Sequence, residues 1–113
     1  RWLEAEGFHV EDVSGYGCGY DLEAHKGPEV RYVEVKGLRH RGPVEMTETE
    51  WIVARDKGEA YWLFVYVRDE NKEWAINHPT GCLKGKEHIM NRVTYLIDAD
   101  EWGQFSPLQM QII

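Results

Sequence analysis

The chain has 113 residues, which is enough for one domain with a modest core. Hydrophobic residues make up 42% of it and charged residues 29%, and its five Trp, six Tyr and three Phe exclude a disordered chain. No apolar run is long enough to span a membrane, and the net charge of −7 argues against a simple nucleic-acid binder with a basic face.

The first third of the chain predicts a helix end followed by three strands. Alternating apolar and polar residues indicate the strands, and Gly and Pro mark the turns between them. In chain order, the predicted elements are the end of a helix at Trp2–Glu6 that stops at Gly7, a strand at Phe8–Val13, a glycine-rich turn at Ser14–Gly19, a strand at Tyr20–Ala24, a turn at Lys26–Glu29 and a strand at Val30–Lys36.

The remainder of the chain predicts a helix and further strands. Thr47 and Glu50 form a capping-box pattern at the start of a helix that ends near Lys57, and Ala60–Val67 is apolar almost throughout, as in an interior strand covered on both faces. The other predicted elements are a loop at Arg39–Val44, a turn at Asp69–Lys72, strands at Glu73–Asn77 and Arg92–Ile97, and a short helix around Trp102 capped by Asp98 or Asp100. This order predicts an α/β domain of the mixed α+β kind, in which helices flank a mixed central sheet.

Glu34 and Lys36 end a strand that is otherwise rich in valine. Side chains alternate between the two faces of a strand, so both charges point the same way, together with Tyr32. If the preceding hairpin is symmetric about Gly27-Pro28, Asp21 lies opposite Glu34. The sequence therefore predicts two carboxylates and a lysine on one patch.

Such a patch carries the groups that phosphodiester hydrolysis needs. Mg²⁺ takes few protein ligands and keeps several waters, so Asp21, Glu34 and the adjacent Val35 carbonyl would suffice to hold one ion. The ion activates water and neutralises charge at phosphorus, and Lys36 would orient that water or stabilise the charge. The alternative is an ordinary ion pair between Glu34 and Lys36 on a solvated sheet face.

The segments around this patch resemble a known family. They are Gly7–Val10, Gly19–Leu22, Arg31–Gly37, Thr47 with Glu50 and Trp51, Tyr61–Leu63, and, farther along, Ile76–Pro79 and Val93–Tyr95. Together they resemble the PD-(D/E)-x-K restriction-endonuclease-like superfamily and, within it, the NO VEIN C-terminal-like domain. The resemblance implies a restriction-endonuclease-like core with Asp21 and Glu34 as metal ligands, Lys36 as the catalytic lysine, Mg²⁺ or Mn²⁺ as cofactor and DNA as partner.

The resemblance also implies a setting for the domain. NO VEIN-type domains are often attached to Swi/Snf-type helicases and other ATPases, so we expect residues 1–113 to be a single nuclease-like domain at the C-terminal end of a larger helicase-like protein. Many superfamily members add a Glu on the first helix, and the corresponding position would precede Arg1. Cys18 and Cys82 are too few for a disulfide framework, so we expect reduced thiols in a cytoplasmic protein.

Three consecutive basic side chains, Arg39-His40-Arg41, follow the strand that carries Glu34 and Lys36. Their place beside the acidic patch suggests contacts with nucleic-acid phosphates, and a solvated loop is the equal alternative. For the whole domain, the alternative to a nuclease is a non-catalytic module that binds nucleic acid or docks a partner protein. The acidic net charge favours that alternative.

Several other side chains have two interpretations. Glu23 is either an accessory metal ligand or a surface carboxylate, and the second is preferred. Thr47 and Glu50 are interpreted only as a helix cap. Trp51 and Trp74 are either core residues or platforms for base stacking.

Overall fold

A computed structural model of the chain describes residues 1–83, 87–91, 94–105 and 107–108. Within these residues the helices and strands are, in chain order, α1 (Trp2–Ala5), β1 (His9–Asp12), β2 (Leu22–Lys26), β3 (Glu29–Leu38), β4 (Val44–Thr47), α2 (Glu48–Lys57), β5 (Tyr61–Val67), β6 (Lys72–Asn77), α3 (Pro79–Cys82), β7 (Glu87–Asn91), β8 (Thr94–Ile97) and α4 (Ala99–Trp102).

Five of the described strands form a mixed central sheet in the order β1-β2-β3-β5-β6. The strands β1, β2 and β3 are antiparallel neighbours, as are β5 and β6, whereas β3 and β5 run parallel. Parallel strands need a crossover connection, which here contains β4 and α2. The predicted mixed sheet flanked by helices is confirmed.

The β2–β3 hairpin has the register that its turn residues predict. Leu22 pairs with Val33, so the hairpin is symmetric about Gly27-Pro28. Asp21 lies just before β2, whereas β3 continues as far as Leu38. The strand β3 therefore extends well beyond the end of its β2 partner.

The two faces of the central sheet carry separate apolar clusters. The cluster on the α2 face contains the buried residues Val44, Met46, Trp51, Ala54, Tyr61, Leu63, Val65, Val67, Trp74, Ile76, Leu83, Ile97 and Trp102. The cluster on the α1 face contains Leu3, Phe8, Ala24 and Val33. Trp51 and Trp74 are thus core residues, which resolves the two interpretations that the sequence left for them.

A second sheet, formed in the described part of the chain by β4, β8 and β7, departs from the prediction. The sequence predicts a loop through Arg39–Val44, yet Val44 and Met46 are fully buried strand residues. Four residues of alternation after Gly42-Pro43 are too short a pattern to stand out from a loop. The strand β8 matches the end of the predicted strand Arg92–Ile97, whose residues 92–93 lie outside the described ones.

The helices agree with their predicted caps. The helix α2 begins after Thr47 and ends at Gly58, and α4 begins after Asp98, which occupies the N-cap position. None of the helices in the described ranges is long and apolar enough to cross a membrane.

Candidate active site

The central strand β3 presents Glu34 and Lys36 to the face of the sheet that α2 covers. Tyr32 and Leu38 on the same face pack against the α2-side core, while Val33 belongs to the opposite cluster. The alternation that the sequence predicts for this strand is therefore present. Glu34 is only 4% exposed, so it is not part of a solvated sheet face.

Asp21, just before β2, is held by two hydrogen bonds to the backbone of β3. Its N–H donates to the carbonyl of Val33 over 2.8 Å, and its Oδ2 accepts a hydrogen bond from the Val35 N–H over 2.9 Å. The N–H and the carbonyl of a strand residue point to the same edge. The Val35 carbonyl therefore lies on the same edge of β3 as the Asp21 carboxylate.

The turn before Asp21 is fixed by a close approach to α2. Gly19 has φ +87°, and a Cβ on it would lie 2.8 Å from Cγ2 of Val53. The Tyr61 hydroxyl donates to the Gly19 carbonyl over 2.8 Å. Only glycine fits this position without strain, and it anchors the segment that delivers Asp21.

Lys36 lies between two carboxylates. Its Nζ is 3.2 Å from Oε2 of Glu34 and donates a hydrogen bond of 2.8 Å to Oε1 of Glu50. Glu50 is the member of this cluster that the sequence interpretation missed, because a helix cap already explains the pairing of Thr47 with Glu50. The signal that could have found it is the crossover between parallel strands, which places the start of α2 over β3.

Glu50 holds Lys36 from within the helix cap. The Glu50 N–H donates to Thr47 Oγ1 over 3.1 Å, and Glu50 Oε1 accepts from the Thr47 N–H over 2.9 Å. That same Oε1 accepts the Lys36 ammonium. The cap and the lysine contact therefore share one oxygen, so the position of Glu50 is set by the backbone.

The two carboxylates that flank Lys36 differ in their affinity for protons. Burial raises the pKa of Glu34 to about 8; Lys36 opposes the rise, and the nearby charges of Glu50 and Asp21 add to it. Burial acts in the same direction on Glu50, but hydrogen bonds from Lys36 and from the Thr47 backbone outweigh it and lower the Glu50 pKa.

Lys36 keeps its charge in this environment. Burial acts to lower the pKa of Lys36, but the hydrogen bond to Glu50 and the charge of Glu34 raise it above its usual value. Glu50 is therefore the ionised partner of the ammonium near neutral pH, whereas Glu34 tends to hold a proton.

This arrangement fits a hard divalent cation. Three carboxylates face one ammonium, so negative charge is in excess, and the buried Glu34 relieves that excess by taking up a proton. A divalent ion would balance it instead, held by Asp21, Glu34 and the Val35 carbonyl, which are oxygen donors of the kind that Mg²⁺ prefers. Within the described ranges, no three His, Cys, Asp or Glu side chains form a group that could hold a metal by themselves.

The basic segment after β3, Arg39-His40-Arg41, contains residues that differ in their side-chain contacts. His40 forms an ion pair with Asp69, and Arg41 binds both carboxylate oxygens of Glu70, at 2.6 and 2.9 Å. Arg39 forms no side-chain hydrogen bond or ion pair with the described residues. A role of the three residues in contacting phosphates stays a prediction. Arg39 differs from the other two because it has no acidic partner among the described residues.

Glu23 lies on the site face of β2 but turns to other partners. Its Oε2 accepts the Tyr20 hydroxyl at 3.2 Å, and its Oε1 lies 2.8 Å from Nε2 of His25. These contacts favour the interpretation of Glu23 as a surface carboxylate over that of an accessory metal ligand.

Comparison with known families and structures gives a consistent result. Residues 2–77, about two thirds of the chain, match the family described as Protein NO VEIN, C-terminal. A search of curated proteins finds no match.

Two solved structures are similar to this one. Hjc, a Holliday junction resolvase from the archaeal hyperthermophile Archaeoglobus fulgidus, superposes with a TM-score of 0.64 at 18% identity, over 96% of this chain and 83% of that chain. D212, a nuclease from a fusselovirus, superposes with a TM-score of 0.53 at 16% identity, over 89% of this chain and 75% of that chain. At these identities the likeness shows the fold, which is restriction-endonuclease-like, as the sequence resemblance implies.

Proposed function

Because this chain belongs to the NO VEIN C-terminal family and has a restriction-endonuclease-like fold, we propose that it is a metal-dependent nuclease domain that cleaves DNA phosphodiester bonds. The observation that carries the proposal is the convergence of Asp21 and Lys36 on Glu34, a buried carboxylate. A structural ion pair does not need the third carboxylate of Asp21 or the burial of Glu34.

Each of these residues has a defined part in the proposed reaction. Asp21, Glu34 and the Val35 carbonyl would hold Mg²⁺ or Mn²⁺, which would activate water and neutralise charge on the phosphate. Lys36 would contribute a fixed positive charge next to the reacting phosphate and stabilise the negative charge that develops on its oxygens. Glu50 holds the Lys36 ammonium independently of Glu34, through a hydrogen bond of 2.8 Å.

A nicking assay on supercoiled DNA tests the proposal. We expect nicking in Mg²⁺ or Mn²⁺, none in EDTA, and loss of nicking in Lys36→Ala and Glu34→Gln. The matched controls are Lys72→Ala and Glu11→Gln, which change the same residue types at exposed strand positions away from the patch. Nicking that persists in Lys36→Ala and Glu34→Gln at the level of these controls would exclude the catalytic role.

A non-catalytic nucleic-acid-binding or protein-docking module is the second candidate function. The observation that favours it is the neutralisation of the basic segment, since His40 and Arg41 are paired with acids and the chain as a whole is acidic. DNA binding that is steep in salt and indifferent to Mg²⁺, without nicking, would select the binding module. Failure to bind DNA would select protein docking.

The setting of the domain is part of the same proposal. We place it in the cytoplasm, in one polypeptide with helicase or ATPase domains, on the basis of the family resemblance. Sequencing the coding region upstream of Arg1 tests this placement, because helicase motifs and a helical Glu are expected there.

A further inference from the structure

The edge of β3 is open beyond the site. The last residue pair between β2 and β3 is Leu22 with Val33, but β3 continues to Leu38. The Val35 N–H points to the β2 side, where it binds Asp21, so the N–H of Gly37, two residues on, points to the same open side. A Cβ on Gly37 would have no atom within 4 Å, so the face of β3 is also uncovered at this position.

Two arginines lie side by side at the end of this edge. The Arg68 N–H donates to the Leu38 carbonyl over 2.8 Å, and the Asp69 N–H donates to the Arg39 carbonyl over 3.0 Å, so the chain after β5 continues along the chain after β3. Both arginines are exposed, and neither forms a side-chain hydrogen bond or ion pair with any residue in the described part of the chain.

The acids near these arginines are already engaged. Asp69 forms an ion pair with His40, and both oxygens of Glu70 bind Arg41. Of the cations in the two adjacent segments, Arg39 and Arg68 are therefore the ones whose charge is available to a ligand. The sequence does not reveal this difference between paired and unpaired cations, because Arg41 and Arg39 lie in the same basic segment.

The two arginines line a cavity with the open edge. It has a volume of about 340 Å³ and is lined by Gly37, Leu38, Arg39, Tyr66 and Arg68. The two guanidinium groups are donors that suit phosphate oxygens, whereas the Tyr66 hydroxyl already donates to Asn71 over 3.3 Å. Apolar ligands would leave both arginines without partners.

We propose that Gly37, Arg39 and Arg68 form a phosphate-binding notch that holds the DNA backbone at the end of β3, on the α1 face and outside the catalytic patch. The inference rests on the proposed function, which makes the ligand DNA, but phosphate binding at the notch does not require cleavage. Arg39 follows Lys36 by three residues, which is about 10 Å along a strand, and this odd spacing puts the two side chains on opposite faces. The notch would therefore bind a phosphate other than the scissile one, on DNA that passes over the end of β3.

Binding measured without cleavage tests the notch. Fluorescence anisotropy of a labelled DNA duplex in EDTA would compare the wild-type chain with Arg39→Ala, Arg68→Ala and Gly37→Val. Each arginine variant is expected to weaken binding roughly tenfold and to reduce the slope of log K against log salt by about one. Gly37→Val should weaken binding by occupying the notch, because a Cβ at this position has no protein atom within 4 Å.

Arg55→Ala is the matched control. Arg55 is exposed on α2 and has no ion pair with the described residues, so its loss changes the net charge by the same amount at another place. The inference is overturned if Arg39→Ala and Arg68→Ala weaken binding no more than Arg55→Ala does, or if the wild-type chain does not bind DNA. Notch variants that lose binding while Arg55→Ala retains it would support the notch even if the nicking assay fails.

Discussion

Two cations on β3, Arg31 and Lys36, each lie between two carboxylates, yet their surroundings differ. The acids beside Arg31 are Glu6 and Glu29, whose side chains are 44% and 55% exposed. The acids beside Lys36 are Glu34 and Glu50, whose side chains are 6% and 17% exposed.

The remaining neighbours of the two cations differ still more. The Arg31 guanidinium lies over the rings of Phe8, Trp62 and Trp2, at 4.4, 4.7 and 5.5 Å from their centroids. Its Nη1 is buried and has no hydrogen-bond partner in the described part of the chain, so aromatic stacking holds it. Among the described residues no aromatic ring lies over the Lys36 ammonium, which instead faces carboxylate oxygens that a metal ion could also contact.

The comparison shows that the number of ion pairs does not separate a structural cation from a functional one. Arg31 joins α1 to the sheet through three aromatic rings and two partly exposed acids. Lys36 belongs to a group with surplus negative charge, in which Glu34 is buried and a third carboxylate, Asp21, lies nearby. Buried groups with displaced pKa values and unbalanced charge are typical of functional sites.

The largest expected effect is on activity. Replacing Lys36 with Ala should lower the nicking rate by about 10²–10³-fold, because it removes a charge aimed at the transition state. Nicking is compared per folded molecule, because the substitution also leaves the ionised Glu50 without its ammonium partner. A Lys36→Ala enzyme that nicks at the wild-type rate would place Lys36 in the same structural class as Arg31.

Replacing Arg31 with Ala should have the opposite profile. The free energy of unfolding should fall by about 2–3 kcal/mol, because the cation packs against three rings and holds two acids. Urea denaturation measures the loss, and nicking per folded molecule should stay at the wild-type level. A loss of specific activity without a loss of stability would show that the α1 face takes part in catalysis.

The buried carboxylate predicts a distinct pH dependence. The pKa of Glu34 rises on folding from its ordinary value of 4.5 to about 8, so the native state binds more protons than the unfolded state between these values. Metal-free stability should therefore fall as the pH rises from 4.5 to 8. Glu34→Gln should make the urea midpoint depend less on pH across this window. An unchanged pH dependence would mean that Glu34 is not the group responsible.

The smallest expected effects separate the two roles of the α2 cap. Thr47→Ala should reduce the free energy of unfolding by about 1 kcal/mol, and Thr47→Ser should restore it. Glu50→Gln keeps an oxygen for the Thr47 amide but removes the charge opposite Lys36, so it should reduce nicking with little loss of stability. Equal losses of stability in Thr47→Ala and Glu50→Gln would mean that Glu50 acts only as a cap.

The part of the site that sequence can predict is local. The positions of Glu34 and Lys36 follow from strand alternation, and that of Asp21 follows from a hairpin whose turn residues fix the register. Each inference spans fewer than about twenty residues and needs no packing information. The nuclease-like fold follows from the same segments through their resemblance to a family.

The contacts that sequence could not predict come from distant parts of the chain. Glu50 reaches Lys36 only because α2 crosses over β3, and Arg41 meets Glu70 only because the segments after β3 and β5 run together. The second sheet likewise pairs Val44 with Ile97. Short amphipathic segments of this kind acquire their conformation from tertiary packing more than from local preference.

Calorimetric titration of Mn²⁺ into the metal-free chain tests the distinction between the two cation sites most directly. We expect one site in the wild-type chain, with affinity reduced at least about tenfold in Asp21→Asn and Glu34→Gln. Glu29→Gln, which changes an acid beside Arg31, should bind as the wild type does. Wild-type affinity in Asp21→Asn and Glu34→Gln, or no Mn²⁺ binding by the wild-type chain, would contradict a metal-dependent site on β3.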